Sequence, residues 1–208
     1  MIIDPKQLSR KDNYKLLIGS VLPRPIAFVT SQSTTGVLNA APFSFYNVVT
    51  ADPPLISVSV GRKPNGVQKD TSLNICNQQE FVVHVVDEGN VEQVNASSAD
   101  FPHDVSEVEE IGLTKIPSHK VGVPSIKEAK IKLECRLHKV IPLGGSEEAP
   151  HADLIIGEVV CFDIDDSVYE DGKISTDALA PLSRLAGTDY GKLGERFSKP
   201  RPTYNKDK

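Results

Sequence analysis

A basic turn at residues 61–71, GRKPNGVQKDT, is the first stretch of the sequence that could bind a ligand. Its three cationic side chains precede an expected helix start at Asp70 or Thr71. The unpaired N–H groups and the dipole of a helix N-terminus attract anions, and an arginine can bind two phosphate oxygens. The turn is therefore a candidate phosphate site, with an ordinary solvated loop as the alternative. It does not follow the GxxxxGK[ST] order of a Walker phosphate loop.

A platform of small and polar residues upstream is the second candidate. It combines Thr30 and Ser31 with the stretch NAAPFS at 39–44. Its hydroxyls, amide and backbone groups would suit the carbonyl and N–H edge of a ring system. Pro42 cannot donate to a strand ladder, so we do not expect a central, fully paired strand here. Hairpin turn chemistry with a kinked edge strand remains the alternative.

Other reaction chemistries have little support in the sequence. The five histidines lack partners at metal-ligand spacing, and GxSxG, HExxH and GxGxxG motifs are missing. We expect His84, within a valine-rich strand, to lie in the core, whereas His151 could reach the mouth of an active site. The run at 107–110, EVEE, is expected to be a solvated helix face.

The pattern of the chain predicts a mainly β protein with short peripheral helices. The continuous apolar run at 26–29 indicates a strand buried on both faces, and Gly157 a bulge or a close approach. The strand at 129–141 alternates, which predicts that Lys132 and Glu134 face solvent. Without βαβ alternation, we expect one domain, residues 1–208, built on a closed or partly closed antiparallel sheet. The other expected elements are helices at 9–19, 70–77, 89–99 and 105–113 and strands at 55–60, 80–87 and 152–164.

Composition sets limits on partners and location. A net charge of −5 and a pI near 5.6 argue against nucleic-acid and anionic-membrane partners. No signal peptide or membrane span is indicated, so we expect a cytoplasmic protein. The tail is expected to dock as far as about Phe197. Three cysteines, none in a CxxC pair, are expected to be buried small hydrophobes: Cys76, Cys135 and Cys161.

Ordered motifs give the chain a resemblance to the flavin reductase-like family. The motifs are PRPIAFVTS, NAAPFSFYNVVTADPPLISVSVG, KDTSLNI, EFVVHVV, LECRLHKVIPLG, HADLIIGEVV and PLSRLAGTDYG. They span about residues 14–191, leaving 192–208 as a C-terminal tail. The tail motif departs from the family's more common RLGG by reading RLAG, which leaves the backbone path after Leu185 open.

The resemblance implies an FMN-binding split β-barrel that forms a homodimer. It also implies reduction of FMN, or of FAD, by NADH or NADPH, with a flavin-dependent monooxygenase as a partner that receives the reduced flavin. Residues expected beside the ring and ribityl chain are Thr30, Ser31, Asn39, Ala40, Ala41, Pro42, Phe43 and Ser44. Residues expected around the phosphate are Ser59, Gly61, Arg62, Lys69, Asp70 and Thr71. Residues expected at the open face of the ring are His151, Arg184 and Tyr190.

Two alternatives to the reductase remain open at this point. One is a flavin-binding carrier or sensor without efficient NAD(P)H turnover. The other is a split-barrel protein that binds a different cofactor such as haem, which the visible spectrum would distinguish from flavin. Hydride transfer needs two stacked rings rather than an acid–base side chain, so the lack of a catalytic triad is compatible with the reductase.

Overall fold

The computed structural model describes residues 1–204, so the last four residues of the predicted tail lie outside it. The strands are β1 (Arg24–Pro25), β2 (Ala27–Gln32), β3 (Leu38–Phe43), β4 (Tyr46–Ala51), β5 (Pro54–Gly61), β6 (Glu80–Val85), β7 (Lys115–Ile116), β8 (Ser125–Ile126), β9 (Ile131–Leu143), β10 (Ala152–Ile164), β11 (Tyr169–Glu170), β12 (Lys173–Ile174), β13 (Leu182–Arg184) and β14 (Tyr190–Lys192). The helices are α1 (Arg10–Ser20), α2 (Asp70–Gln78), α3 (Val91–Ala96), α4 (Glu107–Glu110) and α5 (Thr176–Leu179), with 3-10 turns at Pro5–Gln7, Pro64–Gly66 and Asp166–Val168.

Seven strands form the main sheet, in the order β3-β2-β6-β9-β10-β5-β4. Every neighbouring pair in it is antiparallel, as the sequence predicted. β3, which contains Pro42, lies at one edge and pairs with β2 alone in this sheet, as expected for a strand with a missing donor. β4 forms the other edge.

Both faces of the first strands are buried. Ala27 and Val29 of β2 point into one apolar cluster with Phe81 of β6. Phe28 points the opposite way, into a second cluster that includes Val94 of α3 and Val108 of α4. The predicted doubly buried strand is confirmed, and it explains why the run at 26–29 is apolar without alternation.

Gly157 is the close-approach point that the sequence predicted. The register of β10 against β9 shifts between Ile156 and Gly157. A Cβ atom at Gly157 would lie 2.3 Å from Cζ of Phe81, so a larger residue would displace the ring at the centre of the core.

The alternation in β9 gave a wrong prediction for two charged residues, because both are buried rather than solvent-facing. The Glu134 carboxylate accepts the backbone N–H groups of His119 and Lys120, at 2.7 and 2.5 Å. Lys132 pairs with Asp163 at 2.9 Å. The segment 118–126 packs over this face of the strand, and its N–H groups supply the partners that a buried carboxylate needs.

Three further expectations are corrected. β4 was not predicted as a strand, because its residues after Tyr46 are exposed and show no buried face. Phe197 is 80% exposed, so the docked part of the tail ends with β14. Of the cysteines, Cys135 is buried as expected, whereas Cys76 and Cys161 are half-buried.

His84 lies in the core, as predicted. Its Nδ1 atom lies 3.0 Å from the carbonyl oxygen of Phe28, and its Nε2 accepts the N–H of Ile126 at 2.9 Å. Burial lowers the pKa of this imidazole to about 4. The described helices include none that is long and apolar enough to cross a membrane.

Candidate functional site

Three clefts meet at the end of β3 and share Pro42 and Phe43. The first has a volume of about 580 Å³ and extends to the start of α2. The second, of about 220 Å³, extends to the segment that contains β13 and β14. The third, of about 660 Å³, extends to β5 and to the loop before β10. These volumes lie near or within the range of small-ligand sites, and one residue pair serves all three.

The clefts meet where the sheet is split. β3 ends at Phe43 and β4 begins at Tyr46, so the two sheet edges are joined by Ser44 and Phe45 alone. The N–H of Ser59 donates to the carbonyl oxygen of Phe45 at 2.8 Å, which fixes this link against β5. A flat ligand at this point could contact the edge of β3 without competing with a neighbouring strand.

The outer edge of β3 is covered over only part of its length. Ser106 donates its hydroxyl to the carbonyl of Leu38 at 2.7 Å, and the N–H of Ala40 donates to Glu107 at 3.0 Å. Two residues farther along, Pro42 has no N–H group to satisfy. α4 and its N-cap therefore cover the first half of the edge and leave the second half beside the clefts.

Glu107 lines the first cleft, which corrects the prediction that residues 107–110 form a solvated helix face. Only 9% of the residue is exposed. Burial raises its pKa, and the nearby Asp70 adds to that rise, while the N–H of Ala40 opposes it. The chain gave no local signal for this contact, because Glu107 and Ala40 are 67 residues apart.

Asn39 joins the edge of β3 to α2. In the orientation that satisfies its neighbours, the side-chain nitrogen of Asn39 donates to Oε1 of Glu107 at 3.2 Å. The amide oxygen then accepts a hydrogen bond from the hydroxyl of Thr71 at 3.0 Å. Asn39 and Thr71 are both buried and both line the first cleft. The platform and the start of α2, which the sequence placed in separate candidates, are thus one hydrogen-bonded unit.

The start of α2 presents uncapped backbone donors to the first cleft. Its N-cap residue is Lys69, rather than Asp70 or Thr71 as predicted, and no side chain in the described structure caps the helix there. Thr71 is already helical and turns its hydroxyl to Asn39 instead. Lys63 lies 3.5 Å from Asp70, and exposed Lys69 has no ion-pair partner within residues 1–204. An anion placed here would meet Lys69 and the free N–H groups of a nine-residue helix.

Arg62, which the sequence predicted beside the phosphate, lines none of the three clefts. Its guanidinium forms bidentate hydrogen bonds to fully buried Asp153, with Nη2 to Oδ1 at 2.6 Å and Nε to Oδ2 at 3.1 Å. Its Nη1 donates to the carbonyl of Gly66 at 2.8 Å. These contacts hold the basic turn against β10, so Arg62 shapes the turn.

The second cleft brings together Arg184 and Tyr190. The Arg184 guanidinium carbon lies 4.6 Å from the centre of the Tyr190 ring, and the Tyr190 hydroxyl donates to Asn95 at 3.2 Å. Ser44 also lines this cleft. A cation stacked on an aromatic ring gives the cleft both a charge and a flat apolar surface.

Arg24 supports the second cleft and was not singled out by the sequence. It is buried and donates to the carbonyl oxygens of Ile18, Val21 and Leu185, each at 2.8 Å. It therefore ties α1 to the strand segment that carries Arg184. The two flanking prolines in PRP were its only local signal.

The third cleft contains His151, Ser59 and Gly61. The backbone oxygen of His151 accepts the N–H of Arg62 at 2.9 Å, which fixes the loop before β10 to the end of β5. His151 is exposed, and its predicted position near a cleft mouth agrees with this placement.

Three predicted residues lie behind the clefts instead of lining them. Thr30 is fully buried and donates to the carbonyl of Pro124 at 2.9 Å, away from the platform. Ser31 is also fully buried, 3.4 Å from the amide nitrogen of Asn74. Ala40 is buried and meets the site through its backbone bond to Glu107. The remaining predicted residues that line the three clefts are Asn39, Ala41, Pro42, Phe43, Ser44, Ser59, Gly61, Lys69, Asp70, Thr71, His151, Arg184 and Tyr190.

No group of three or more metal-ligating side chains occurs within the described residues. The lining of the three clefts offers backbone edges, cations such as Lys69 and Arg184, and aromatic rings such as Tyr190. Such a set of groups suits the binding and orientation of an organic ring with a phosphate.

Comparison with known proteins gives a family match. Residues 18–182 match the family model of the flavin reductase like domain. A protein of Halalkalibacterium halodurans is 59% identical over 208 residues, which are 100% of both chains.

Two crystal structures are similar over nearly the whole chain. Nitrilotriacetate monooxygenase component B from Bacillus cereus is 52% identical, with a TM-score of 0.94 over 96% of this chain and 98% of that one. The 2-nitrobenzoate 2-nitroreductase of Pseudomonas fluorescens is 34% identical, with a TM-score of 0.87 over 98% of each chain.

Proposed function

The chain belongs to the flavin reductase-like family, and we propose that it transfers a hydride from NADH or NADPH to a flavin bound beside Pro42 and Phe43. It is an oxidoreductase with an antiparallel split-barrel fold, and both predictions are thereby confirmed. The single observation that carries the proposed site is the meeting of three clefts at Pro42 and Phe43. We extend the proposal to one domain over residues 1–208.

The groups in the clefts fit a flavin mononucleotide. The second half of the β3 edge, at Pro42–Ser44, would receive the ring, because α4 and its N-cap cover the first half. The phosphate would meet Lys69 and the N–H groups of α2.

The bound flavin supplies the hydride acceptor, at its N5 atom. The work of the chain is to stack the nicotinamide on the flavin and to exclude water between them. Arg184 and Tyr190, held by Gly187 and Asn95, would form the wall against which the nicotinamide stacks. His151 would close the opposite side from the third cleft. No side chain needs to move a proton in this step.

We also propose a homodimer that places the third cleft near the subunit interface. Large apolar residues surround that cleft and are exposed: Tyr14 by 52%, Leu17 by 58% and Phe45 by 44%. On neighbouring β4, Val48 is 69% exposed. A second copy of the chain would remove this apolar surface from water.

The reduced flavin would be passed to a separate oxygenase. The support for this step is the 52% identity to a protein described as component B of nitrilotriacetate monooxygenase. A component B implies another component, which would use the reduced flavin. The substrate of an oxygenase served by this chain is left open.

Anaerobic rapid mixing tests the reductase directly. The protein is loaded with FMN, mixed with NADH or NADPH, and followed at the visible absorbance band of the flavin. We expect the band to bleach within seconds. A flavin that stays oxidised for minutes with both nucleotides would instead identify a carrier or sensor, and a haem spectrum of the purified protein would remove the flavin assignment.

Lys69→Ala tests the phosphate end of the site. Loss of a charged hydrogen bond of about 1.5–3 kcal/mol would weaken FMN binding by roughly 10- to 150-fold. Riboflavin, which has no phosphate, should lose little affinity. Lys11→Ala, on the exposed start of α1, is the matched control. If the wild-type, Lys69→Ala and Lys11→Ala proteins bound FMN with equal affinity, the phosphate would not lie at the start of α2.

A further inference from the structure

A fourth cavity lies beside the clefts already described and has an unusual charge. It has a volume of about 400 Å³ and is called the basic cleft here. Its lining residues are Arg10, Arg62, Lys63, Pro64, Gly66, Ala149 and His151. Three permanent cations and a histidine, without a carboxylate among the lining residues, form a local basic site on a chain whose net charge is −5.

The walls of the basic cleft are locked together. Gly66, at a φ of +75°, packs so closely against the opposite loop that a Cβ atom would lie 2.8 Å from Cα of Ala149. The N–H of Arg62 donates to the backbone oxygen of His151, and its side chain is held by Asp153. The cavity is therefore part of the fold rather than a gap between two free loops.

The charges of the basic cleft are unequally compensated. Arg62 is neutralised by Asp153, and Lys63 is within 3.5 Å of Asp70. Arg10 is exposed on the first turn of α1 and forms no ion pair with any residue between 1 and 204. Arg10 thus supplies the uncompensated positive charge, whereas Arg62 and Lys63 are already paired with carboxylates.

The basic cleft is connected to the proposed flavin site on two sides. Arg10 and His151 also line the third cleft, which contains Pro42 and Phe43. Lys63 and Pro64 also line the first cleft, which contains the start of α2. A ligand that begins at the platform and ends in the basic cleft must be elongated and must carry its negative charge at the far end.

We propose that the basic cleft binds the adenosine-phosphate end of a dinucleotide whose other ring lies at Pro42 and Phe43. FMN carries a single phosphate, which the start of α2 would hold, so FMN does not need this cavity. NADH, NADPH and FAD each carry a further phosphorylated adenosine. The inference rests on the proposed function, since that function places the reacting rings at the platform.

Arg10→Glu is the variant that tests the basic cleft. Arg10 lies outside the proposed flavin-binding and catalytic residues, and an acidic residue is favourable in the first turn of a helix, so folding should not suffer. The matched control is Lys11→Glu, which makes the same charge change one residue away, outside the lining of the cavity. The probes are ADP, 2′,5′-ADP, NADH, NADPH, FAD and FMN.

The expected result is that Arg10→Glu weakens ADP or 2′,5′-ADP binding by about tenfold or more, which corresponds to roughly 1.4 kcal/mol. Lys11→Glu should leave both affinities unchanged. A rise in KM for NADH or NADPH identifies the nicotinamide nucleotide as the occupant. A loss of FAD affinity with unchanged KM identifies FAD instead.

The inference is overturned if the wild-type protein binds neither ADP nor 2′,5′-ADP. It is also overturned if Arg10→Glu and Lys11→Glu give the same constants for every dinucleotide. Failure of the proposed function would look different, because FMN binding or flavin bleaching would then be missing from the wild-type protein itself.

Discussion

The two edges of the main sheet meet at Ser44 and Phe45, yet they have opposite surroundings. The β3 edge is short of donors at Pro42, and its first half is covered by Ser106 and Glu107. The β4 edge is exposed and carries apolar residues, with Val48 exposed by 69%. An edge that is partly covered by polar side chains suits a polar ligand, whereas an apolar exposed edge suits a second protein surface.

The difference lies in what packs beside each edge. α4, α2 and the basic turn approach β3 from distant parts of the chain and supply polar partners to it. On β4, by contrast, every residue after Tyr46 is exposed. The following predictions separate the contributions of the two edges, beginning with the largest effect.

Arg62→Ala, in the basic turn after β5, should destabilise the fold more than the other changes proposed below. It leaves the buried Asp153 carboxylate without its partner, which costs about 3–5 kcal/mol. Chemical denaturation measures this loss. The double variant Arg62→Ala with Asp153→Asn should recover part of the stability, since the uncompensated charge is gone. A loss below about 1 kcal/mol would mean that the pair does not support the turn.

The stability of the folded protein should depend on pH through His84, which lies in the interior behind β3. Its pKa of about 4 in the folded protein lies below the ordinary value of 6.5, so the unfolded chain binds the proton first. Stability is therefore fully present above about pH 6.5 and is lost as pH falls toward 4, by about 3 kcal/mol in total. Urea unfolding across this range measures it.

Two variants identify the source of that pH dependence. His84→Gln should reduce the slope of stability against pH, whereas His138→Gln, at an exposed position, should keep the wild-type slope. If stability stayed constant between pH 7 and 5 in the wild-type protein, His84 would not be held neutral by its burial.

Glu107 should stabilise the covered half of the β3 edge. Glu107→Ala removes the charged acceptor of the buried Ala40 N–H, which then has only the Asn39 amide oxygen, 3.3 Å away. The loss should cost about 1–3 kcal/mol and should weaken FMN binding, because the Asn39 amide loses the partner that orients it. Glu107→Gln keeps an acceptor for Ala40 and should retain most of the stability. If the alanine and glutamine variants had equal stability and equal FMN affinity, the contact with Ala40 would not contribute to either property.

The glutamine variant also tests the pKa of Glu107. Because that pKa is raised in the folded protein, its contribution to stability is present at low pH and is lost as pH rises through the folded value. Glu107→Gln should remove this dependence. An unchanged pH dependence would argue against the raised pKa.

Val48→Lys on β4 should have the smallest effect on folding, within about 0.5 kcal/mol, because the side chain is exposed. Its expected effect is on association. Sedimentation should show a shift from dimer to monomer, with the apolar face of β4 now charged. Thr50→Lys, at a polar exposed position of the same strand, is the control. A Val48→Lys protein that stays dimeric would exclude this part of β4 from the interface.

The sequence predicted those parts of the fold that depend on neighbouring residues. The doubly buried run at 26–29, the edge character of Pro42 and the close approach at Gly157 each follow from local residue types. Most of the residues predicted for the site do line the three clefts. The ordered motifs identified the family, as the family match confirms.

The parts that the sequence missed depend on contacts between distant residues. Glu107 and Arg62 read as surface charges until their partners, Ala40 and Asp153, are known. Lys132 and Glu134 follow a solvent-facing alternation but are covered by another segment. β4 shows no alternating pattern, because only its first residue, Tyr46, packs against the core and the residues after it are exposed. Each of these four charged residues has its partner in a different segment of the chain.

A crystal structure of the protein with FMN tests the central claim most directly. We expect the flavin ring to lie against Pro42 and Phe43 at the end of β3 and against Ser44, with the phosphate within hydrogen-bonding distance of Lys69 and the first N–H groups of α2. A flavin bound at another surface, or a phosphate remote from the start of α2, would contradict it.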